Sequence, residues 1–407
     1  MRKAVMVGGV LGLAAVSLWA VAPQGAPFRV SSCTTCQEET PAVAGAPSGD
    51  FLVLWEGQSA KDIRGVDGRL FKGAAATPAS ADFQVNKNVA PDQYDAAVTR
   101  DNKGNYIAVW SEVANGNSEI MGQRFQATGA ALGAAFKVNV DPVGPVPADY
   151  APAIARTSDG GFVVVWDRLF PPSNHPENDT PQVMARRFNS AGAAVGSPVR
   201  LNTGLALGTR PDVCVDTSGK IITVWTSVDA FRPFEPSKLG LSMRRLSPAG
   251  APLAGEEIVA PPVGNYLQPA ISCGTGSTFV VVWHGDQVPA QEGTDIIGQR
   301  YSRLGRKVGA AFRINTAVTG EQRNPAISHD AKGNFVVVWQ ESTGTDLGIF
   351  GRRYTAAGAP AGPQFEVVTE LHPRYLDARV AHIGATGNFV IIWQDSTRTI
   401  YGRRFTP

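Results

Sequence analysis

The sequence predicts an all-β fold, a seven-bladed β-propeller of four-stranded blades whose ring is closed by an N-terminal strand completing the last blade. Three observations predict it. Tryptophan recurs as Trp55, Trp110, Trp166, Trp225, Trp283, Trp339 and Trp393, at intervals of 55, 56, 59, 58, 56 and 54 residues. Each ends the same kind of apolar run (FLVLW, YIAVW, FVVVW, IITVW, FVVVW, FVVVW, FVIIW), and a fixed period with short β-rich runs marks a repeat architecture. The two ends of the chain are also out of phase with the repeat in a way that closes a ring.

One unit reads P-A-I-A, turn, F-V-V-V-W, loop, I-x-G-R-R-F, turn, F-x-V-N. The first piece is assigned to PAVA (41–44), DAAV (95–98), PAIA (152–155), PDVC (211–214), PAIS (269–272), PAIS (325–328) and DARV (377–380). Glycine stands six residues ahead of Trp in six units, as a tight hairpin requiring positive φ demands. The fifth unit has Ser277 there, with Gly276 one residue earlier. The third piece runs from IMGQRF (120–125) to IYGRRF (400–405) in six copies, and six copies of the fourth follow a Trp run, from FQVN (83–86) to FEVV (365–368). The seventh lies at the other end, Phe28-Arg29-Val30-Ser31. Phe28 precedes Pro41 by thirteen residues, as Phe312 precedes Pro325. The chain thus starts with an outermost strand and ends one strand short, and exchanging that strand closes a propeller without a gap.

The start, MRKAVMVGGVLGLAAVSLWAVAPQGA, has a basic n-region, an apolar stretch from Ala4 to Ala22 and a small-residue site, the pattern of a secretory signal. The stretch is 19 residues long, close to the ~20 that span a bilayer, and Pro23 follows the A-x-A site. Residues 1–22 are therefore expected to be a signal peptide or an uncleaved anchor, and residues 28–407 one propeller domain. An exported location follows: periplasmic, cell-surface or extracellular. Contact with a membrane is expected only through an uncleaved N-terminus. Four cysteines in an exported chain allow three disulfide connectivities. Cys33 and Cys36 share one loop, while Cys214 and Cys273 fall in equivalent strands of adjacent units, so 33–36 with 214–273 is the preferred pairing.

The blade order resembles that of sialidase-like (BNR) propellers and of secreted bacterial propeller-repeat proteins, through P-x-I-A, G-x-F-V-V-V-W and I-x-G-x-R-F over residues 28–407. The resemblance implies the fold, and propellers host many unrelated activities. The Asp-box S-x-D-x-G-x-x-W of the sialidase group is absent; its turn reads ATGAALG, SAGAAVG, PAGAPLAG and AAGAPAG.

The recurring Arg124, Arg187, Arg245, Arg300, Arg353 and Arg404 are expected to be architectural, stacking on the neighbouring Trp and paired with Glu112, Glu341 and Asp395. By strand parity the loops after the second and fourth strands emerge on one face. That face is where units differ, with insertions after Trp166, Trp225 and Trp283. Candidate ligand-binding residues there are Tyr94, Tyr150, His175, Asp179, Phe231, Tyr266, His284, Asp286, Arg323 and Tyr375. His175, Glu177 and Asp179 lack the full Ca²⁺-loop pattern, so no metal and no cofactor are expected.

With a formal net charge of +2 and dispersed Lys and Arg, nucleic acid is not an expected partner. No G-x-S-x-G, H-E-x-x-H or Walker loop is present, and no catalytic residue is assigned. The leading expectation is a non-catalytic exported propeller binding a glycan or an envelope protein through its loop-bearing face. The alternatives are a polysaccharide- or lactone-directed hydrolase or lyase on the same face, and a scaffold subunit of a surface assembly. A convergent acid pair in the central funnel would favour the enzyme.

Overall fold

The computed structural model describes residues 21–58, 64–73, 76–87, 91–114, 117–140, 147–170, 181–203, 207–228, 239–264, 267–285, 293–317, 319–343, 346–370 and 377–407. The N-terminal residues that carry the expected export signal lie outside this set.

Seven antiparallel sheets follow one another, each running from an innermost to an outermost strand. The innermost strands, Glu38–Gly45, Asp92–Arg100, Ala148–Arg156, Leu207–Val215, Leu267–Cys273, Glu321–His329 and Ala378–Ile383, each contact the next, and the last contacts the first, so they ring a central tunnel. The seventh sheet is completed from the other end of the chain: Ala22–Arg29 pairs with Ile400–Thr406, Phe28 opposite Gly402 and Arg29 opposite Tyr401. This strand begins at Ala22, ahead of Phe28. The third strand of the first blade, Gly65–Lys72, carries the variant motif VDGRLF.

The repeated residues have separable jobs. Each Trp belongs to one of seven buried clusters, and each cluster spans the interface with the preceding blade. Trp225, for example, packs with Val163, Val165 and Val183 of the third blade, and Trp55 with Val390, Ile392 and Ile400 of the seventh. The asparagine of F-x-V-N closes its own blade, because Asn86, Asn139, Asn202 and Asn315 accept the amides of Val66, Ile120, Val183 and Ile296 at 2.8–3.0 Å. The phenylalanine of the same motif lies across the glycine of I-x-G. A Cβ on Gly122 would stand 2.7 Å from Phe136, and one on Gly402 2.6 Å from Phe28. Where that glycine becomes Ala185 or Met243, the opposite residue is Val199 or Glu257 rather than Phe.

The arginines are architectural but do not stack on Trp. Among the described residues, the arginine–ring contacts of the third strands are with Phe or Tyr two residues on: Arg69 over Phe71, Arg186 over Phe188, Arg352 over Tyr354 and Arg403 over Phe405. Two consecutive positions grip the two neighbouring blades. The first reaches back to outer-strand carbonyls, Arg186 to Val138, Arg244 to Leu201 and Arg352 to Ile314. The second reaches forward to the next blade's outer turn, Arg124 to Ser190 and Ala191, Arg245 to Leu304 and Arg300 to Ala356. Glu341 and Asp395 have partners other than these arginines. Glu341 accepts the Trp339 indole N–H at 3.1 Å, and Asp395 caps its own turn through the amides of Thr397 and Thr399. An indole N–H buried in a packed interface needs an acceptor within reach, and Glu341 supplies it.

Two disulfides are formed, Cys33–Cys36 and Cys214–Cys273, each with Cα atoms 5.6 Å apart. The second ties the innermost strands of blades 4 and 5.

Two stability outcomes follow. Trp339→Ala removes the centre of one interface cluster and is expected to cost ~3–5 kcal/mol, read from chemical denaturation. Gly358 has φ +82 and its missing Cβ would lie 2.4 Å from Arg300, so Gly358→Ala suffers both backbone strain and a clash with the clamp. In an Arg300→Ala background only the strain remains, and a double-mutant cycle is expected to show a coupling of ~1 kcal/mol. Simple additivity would mean that the turn does not need the arginine.

Candidate functional site at the tunnel mouth

The edge of each innermost strand faces the tunnel, and near its start six of the seven carry a β-bulge. One residue in each bulge has left-handed backbone: Thr40, Asp95, Ala151, Arg210, Gln268 and Asn324, with φ between 48 and 55. Non-glycine residues seldom adopt this conformation, and bulges concentrate where a side chain must be re-aimed. Pairing also corrects the repeat register. Ala97 lies opposite Val109 as Ala42 lies opposite Leu54, each partner being the residue before Trp. Asp95 therefore matches Thr40, not Pro41. Likewise Val380 pairs with Ile391 as Val43 pairs with Val53, which places Asp377 in the same ring. The innermost strands of blades 2 and 7 are thus displaced by one residue from the sequence alignment.

A second ring comes from the residue after each Trp: Glu56, Ser111, Asp167, Thr226, His284, Gln340 and Gln394. The first ring, with Asp167, His284, Gln340 and Gln394 of the second, lines a funnel at the tunnel mouth, on the face bearing the variable loops, and Glu56 reaches the Asp95 amide there from a side cavity. One cavity of 630 Å³ is lined by Asp95, Asp167, Arg210, Asp212, Asp377 and Arg379 among others. It opens into a wider one of 1050 Å³, with which it shares Thr40, Arg210, Gln268, Asn324 and Asp377. Asp212 and Arg379 are departures too, since the other blades have Ala42, Ala97, Ala153, Ala270 and Ala326 at that position.

The acids of blades 1–4 reach across blade boundaries to edge amides. Glu56 accepts the Asp95 N–H at 2.6 Å, Asp167 the Arg210 N–H at 2.9 Å and Asp212 the Ile271 N–H at 2.8 Å. Asp95 is held by the Ala151 amide. Burial nevertheless dominates their ionisation. It pushes the Glu56 carboxyl up to about 7, helped by the charge of Asp95. It pushes Asp167 to about 7 as well, where the Arg210 amide and guanidinium oppose the shift and Asp95 adds to it. The Oδ1 of Asp167 is buried with no hydrogen-bond partner, which further disfavours charge. Asp212 is raised to about 6 by burial against two backbone amides. Asp95 itself is raised by enclosure in the funnel, although water reaches it. The Ala151 amide, Arg210 and Arg379 oppose that rise, and Asp377 adds to it. The charge of Asp95 thus raises the carboxyls of the blades on either side of it, Glu56 and Asp167.

The opposite end of the tunnel holds a chamber of 770 Å³ lined by Ser328, His329, His382 and the Cys214–Cys273 bridge. Burial lowers His329 to about 3 and His382 to about 4. Ser328 Oγ accepts the His382 amide at 3.1 Å and lies 3.0 Å from its Nδ1, so the serine repeats the edge-capping pattern. Imidazoles of such low basicity make poor general bases.

Of the residues singled out from the sequence, His284 and Arg323 line the wide cavity. Tyr94 lines a side cavity of 320 Å³ with Glu56, Arg64 and Arg398 and donates to Asp92 at 2.9 Å. Tyr150 lines none of these cavities; it neighbours Asp149, whose carboxylate is taken by a buried ion pair with Arg168 at 2.8 Å and by the Trp166 indole at 2.9 Å. His175, Asp179, Phe231, Tyr266, Asp286 and Tyr375 lie outside the described residues. Sequence reasoning missed Glu56, Asp95, Asp167, Arg210, Asp212, Asp377 and Arg379. Their signal was variability inside an otherwise constant repeat. Among the described residues no group of three or more His, Cys, Asp or Glu side chains could hold a metal ion.

No protein-family model matches the chain, and no curated protein matches it. Among solved structures it is similar to a protein of unknown function from Dyadobacter fermentans, at 11% identity and TM-score 0.54, covering 79% of this chain and 96% of that one. It is similar also to a Hadza microbial sialidase, at 10% identity and TM-score 0.52, covering 87% and 76%. A third is the Penicillium chrysogenum α-L-arabinanase complexed with arabinobiose, at 10% identity and TM-score 0.51, covering 95% and 98%. At these identities the likeness establishes the fold.

The raised carboxyls carry a signed pH dependence. Between ~4, where a free Asp titrates, and about 7, where Asp167 does in the folded protein, the folded state holds the extra proton. Asp167 thus favours folding most below that window, and the contribution is lost as pH rises through it. Asp167→Asn is expected to gain in Tm relative to wild type as pH rises from 4 to 8. The buried histidines act oppositely, their contribution being present above ~6.5 and lost as pH falls toward about 4. Thermal melts across this range for Asp167→Asn and His382→Asn are expected to diverge in opposite senses.

Proposed function

We propose that the protein is an exported carbohydrate-directed hydrolase whose chemistry takes place in the funnel, on the carboxyls of Glu56, Asp95 and Asp167. The observation that carries this reading is the convergence of these acids from three consecutive blades, two of them titrating near 7. Cleaving a glycosidic bond needs one carboxyl that still holds a proton at working pH and one that has lost it. Here the protonated member gives its proton to the leaving oxygen. An ionised neighbour takes a proton from the water that attacks the anomeric carbon. Arg210 and Arg379 oppose the rise of Asp95, which makes Asp95 the best candidate for the ionised partner. The similar structures include a sialidase and an arabinanase, which agrees with a carbohydrate-directed activity. The two disulfides support an oxidising location.

A second reading, a glycan-binding propeller without catalysis, is favoured by one observation. Glu56, Asp95 and Asp167 each hold an amide of the next blade, which is a sufficient structural reason for them. Reducing-sugar release from a panel of plant and microbial polysaccharides separates the two, with absorbance at 235 nm recorded alongside to detect elimination in place of hydrolysis. Turnover by the wild type, reduced at least ~100-fold in Glu56→Gln, Asp95→Asn and Asp167→Asn with their folds intact, is the expected result. Retention on a glycan column without release of any sugar would replace the hydrolase with the binder.

A further inference from the structure

The funnel is chemically divided. Over blades 1–3 the two registers supply Glu56, Asp95 and Asp167; over blades 5–7 they supply His284, Gln268, Asn324, Gln340 and Gln394, with Asp377 the one acid among them, 3.8 Å from Arg379. We propose that this second half is a subsite for an uncharged sugar unit, its imidazole and amides bonding the hydroxyls of the residue next to the one held by the carboxyls. The inference rests on the carbohydrate-directed reading above.

His284 is the key observation. It lies on strand Phe279–Gly285, opposite Leu267 on one side and Ile296 on the other. It is 5% exposed and lines the 1050 Å³ cavity, and its buried Nδ1 has no hydrogen-bond partner among the described residues. A buried polar atom left unpaired at the wall of a cavity marks a position where a ligand can complete the bonding. Burial, with Arg323 and Arg210 nearby, lowers His284 to about 4 against the pull of Glu321, so the ring is neutral at working pH. A neutral imidazole offers one donor and one acceptor, as an amide side chain offers both kinds of group. A sugar hydroxyl is matched by that pairing. Gln268 and Gln394 make no side-chain hydrogen bond among the described residues, while Asn324 donates to Gln340 at 2.6 Å and fixes its orientation.

The charges around this half are already engaged. Arg323 binds Glu321 through Nε at 2.9 Å and Nη2 at 2.6 Å. Arg398 binds Glu39 at 3.2 Å and Gln37 at 2.7 Å. Arg210, where the two halves meet, has no side-chain partner among the described residues, and a uronate reaching it is the competing occupant that the test must distinguish.

The test uses the full-length protein with cellobiose, lactose and arabinobiose as neutral probes and glucuronate as the anionic one. Calorimetry reads affinity, and NMR of ¹⁵N-labelled imidazoles reads His284 directly. The expected result is millimolar binding of at least one neutral disaccharide, with a shift of the His284 Nδ1 resonance. That binding should weaken about tenfold in His284→Phe and in Gln394→Leu. If His284→Phe does not fold, Gln394→Leu carries the comparison. Binding of glucuronate alone, or neutral disaccharides leaving His284 unmoved, overturns the subsite. Weakened binding in these variants with no cleavage by the wild type would leave the subsite standing and remove the hydrolase. Cleavage with unchanged KM in Gln394→Leu would do the reverse.

Discussion

A ring of innermost strands leaves seven sheet edges facing the axis, and the amides on those edges have no further strand to bond. An unpaired edge amide in a confined tunnel is costly. This protein satisfies several of them from the neighbouring blade: Glu56 serves Asp95, Asp167 serves Arg210, Asp212 serves Ile271 and Ser328 serves His382. The solution has two consequences. It links each blade to the next at the narrow end of the wedge, complementing the arginine clamps at the wide end. It also brings carboxyls to the one place where protein surrounds them on every side, and that enclosure, not any single partner, raises their affinity for protons.

The division between constant and variable positions follows from the same geometry. Trp, the third-strand arginines, the F-x-V-N asparagine and the Phe-on-Gly pair all act inside a blade or at a blade interface, a problem that recurs in every unit and that most units solve alike. The bulge residue and the residue after Trp act at the axis, where seven different side chains meet once. There is no packing reason for them to repeat, and they read T, D, A, R, Q, N, D and E, S, D, T, H, Q, Q around the ring. The left-handed backbone at six of the bulges is a strain of ~1–3 kcal/mol each, tolerated where it turns a side chain toward the funnel.

This explains what could be read from the sequence. The period of Trp and the displaced outer strand specify blade number and closure, because both are demanded by every interface and by the ring as a whole. The loop-bearing face was read from strand parity and loop length, and two residues singled out on it, His284 and Arg323, line the wide cavity. The funnel acids were not. Asp95 was hidden by a one-residue misregister, since a bulge inserts a residue that alternation does not announce, and Ala96 replaces the proline that marks the position elsewhere. Glu56 and Asp167 follow a Trp that was itself assigned to packing, and nothing in their local sequence shows that they converge with Asp95. The arginines were read correctly as architectural but given the wrong partner. Stacking on Trp satisfies a guanidinium face, whereas a buried guanidinium has five N–H groups to place, and carbonyls of the adjoining blades take part of that load, as for Arg124, Arg244 and Arg352.

The capping role of the acids does not exclude a chemical one; it constrains it. A carboxyl that must hold an amide of the next blade is fixed in position before any ligand arrives, which is the preorganisation that acid–base catalysis needs. It uses one oxygen for that purpose. Asp167 accepts the Arg210 amide through Oδ2, and its Oδ1 remains buried and unpartnered. Ionising it would leave a charge with one oxygen unsolvated, so the carboxyl keeps its proton up to about 7. The same enclosure makes the histidine on the other side of the funnel neutral. One confined space therefore acts on both halves: it raises the carboxyls of Glu56, Asp95 and Asp167 over the first three blades and keeps His284 neutral among the amides of the last three.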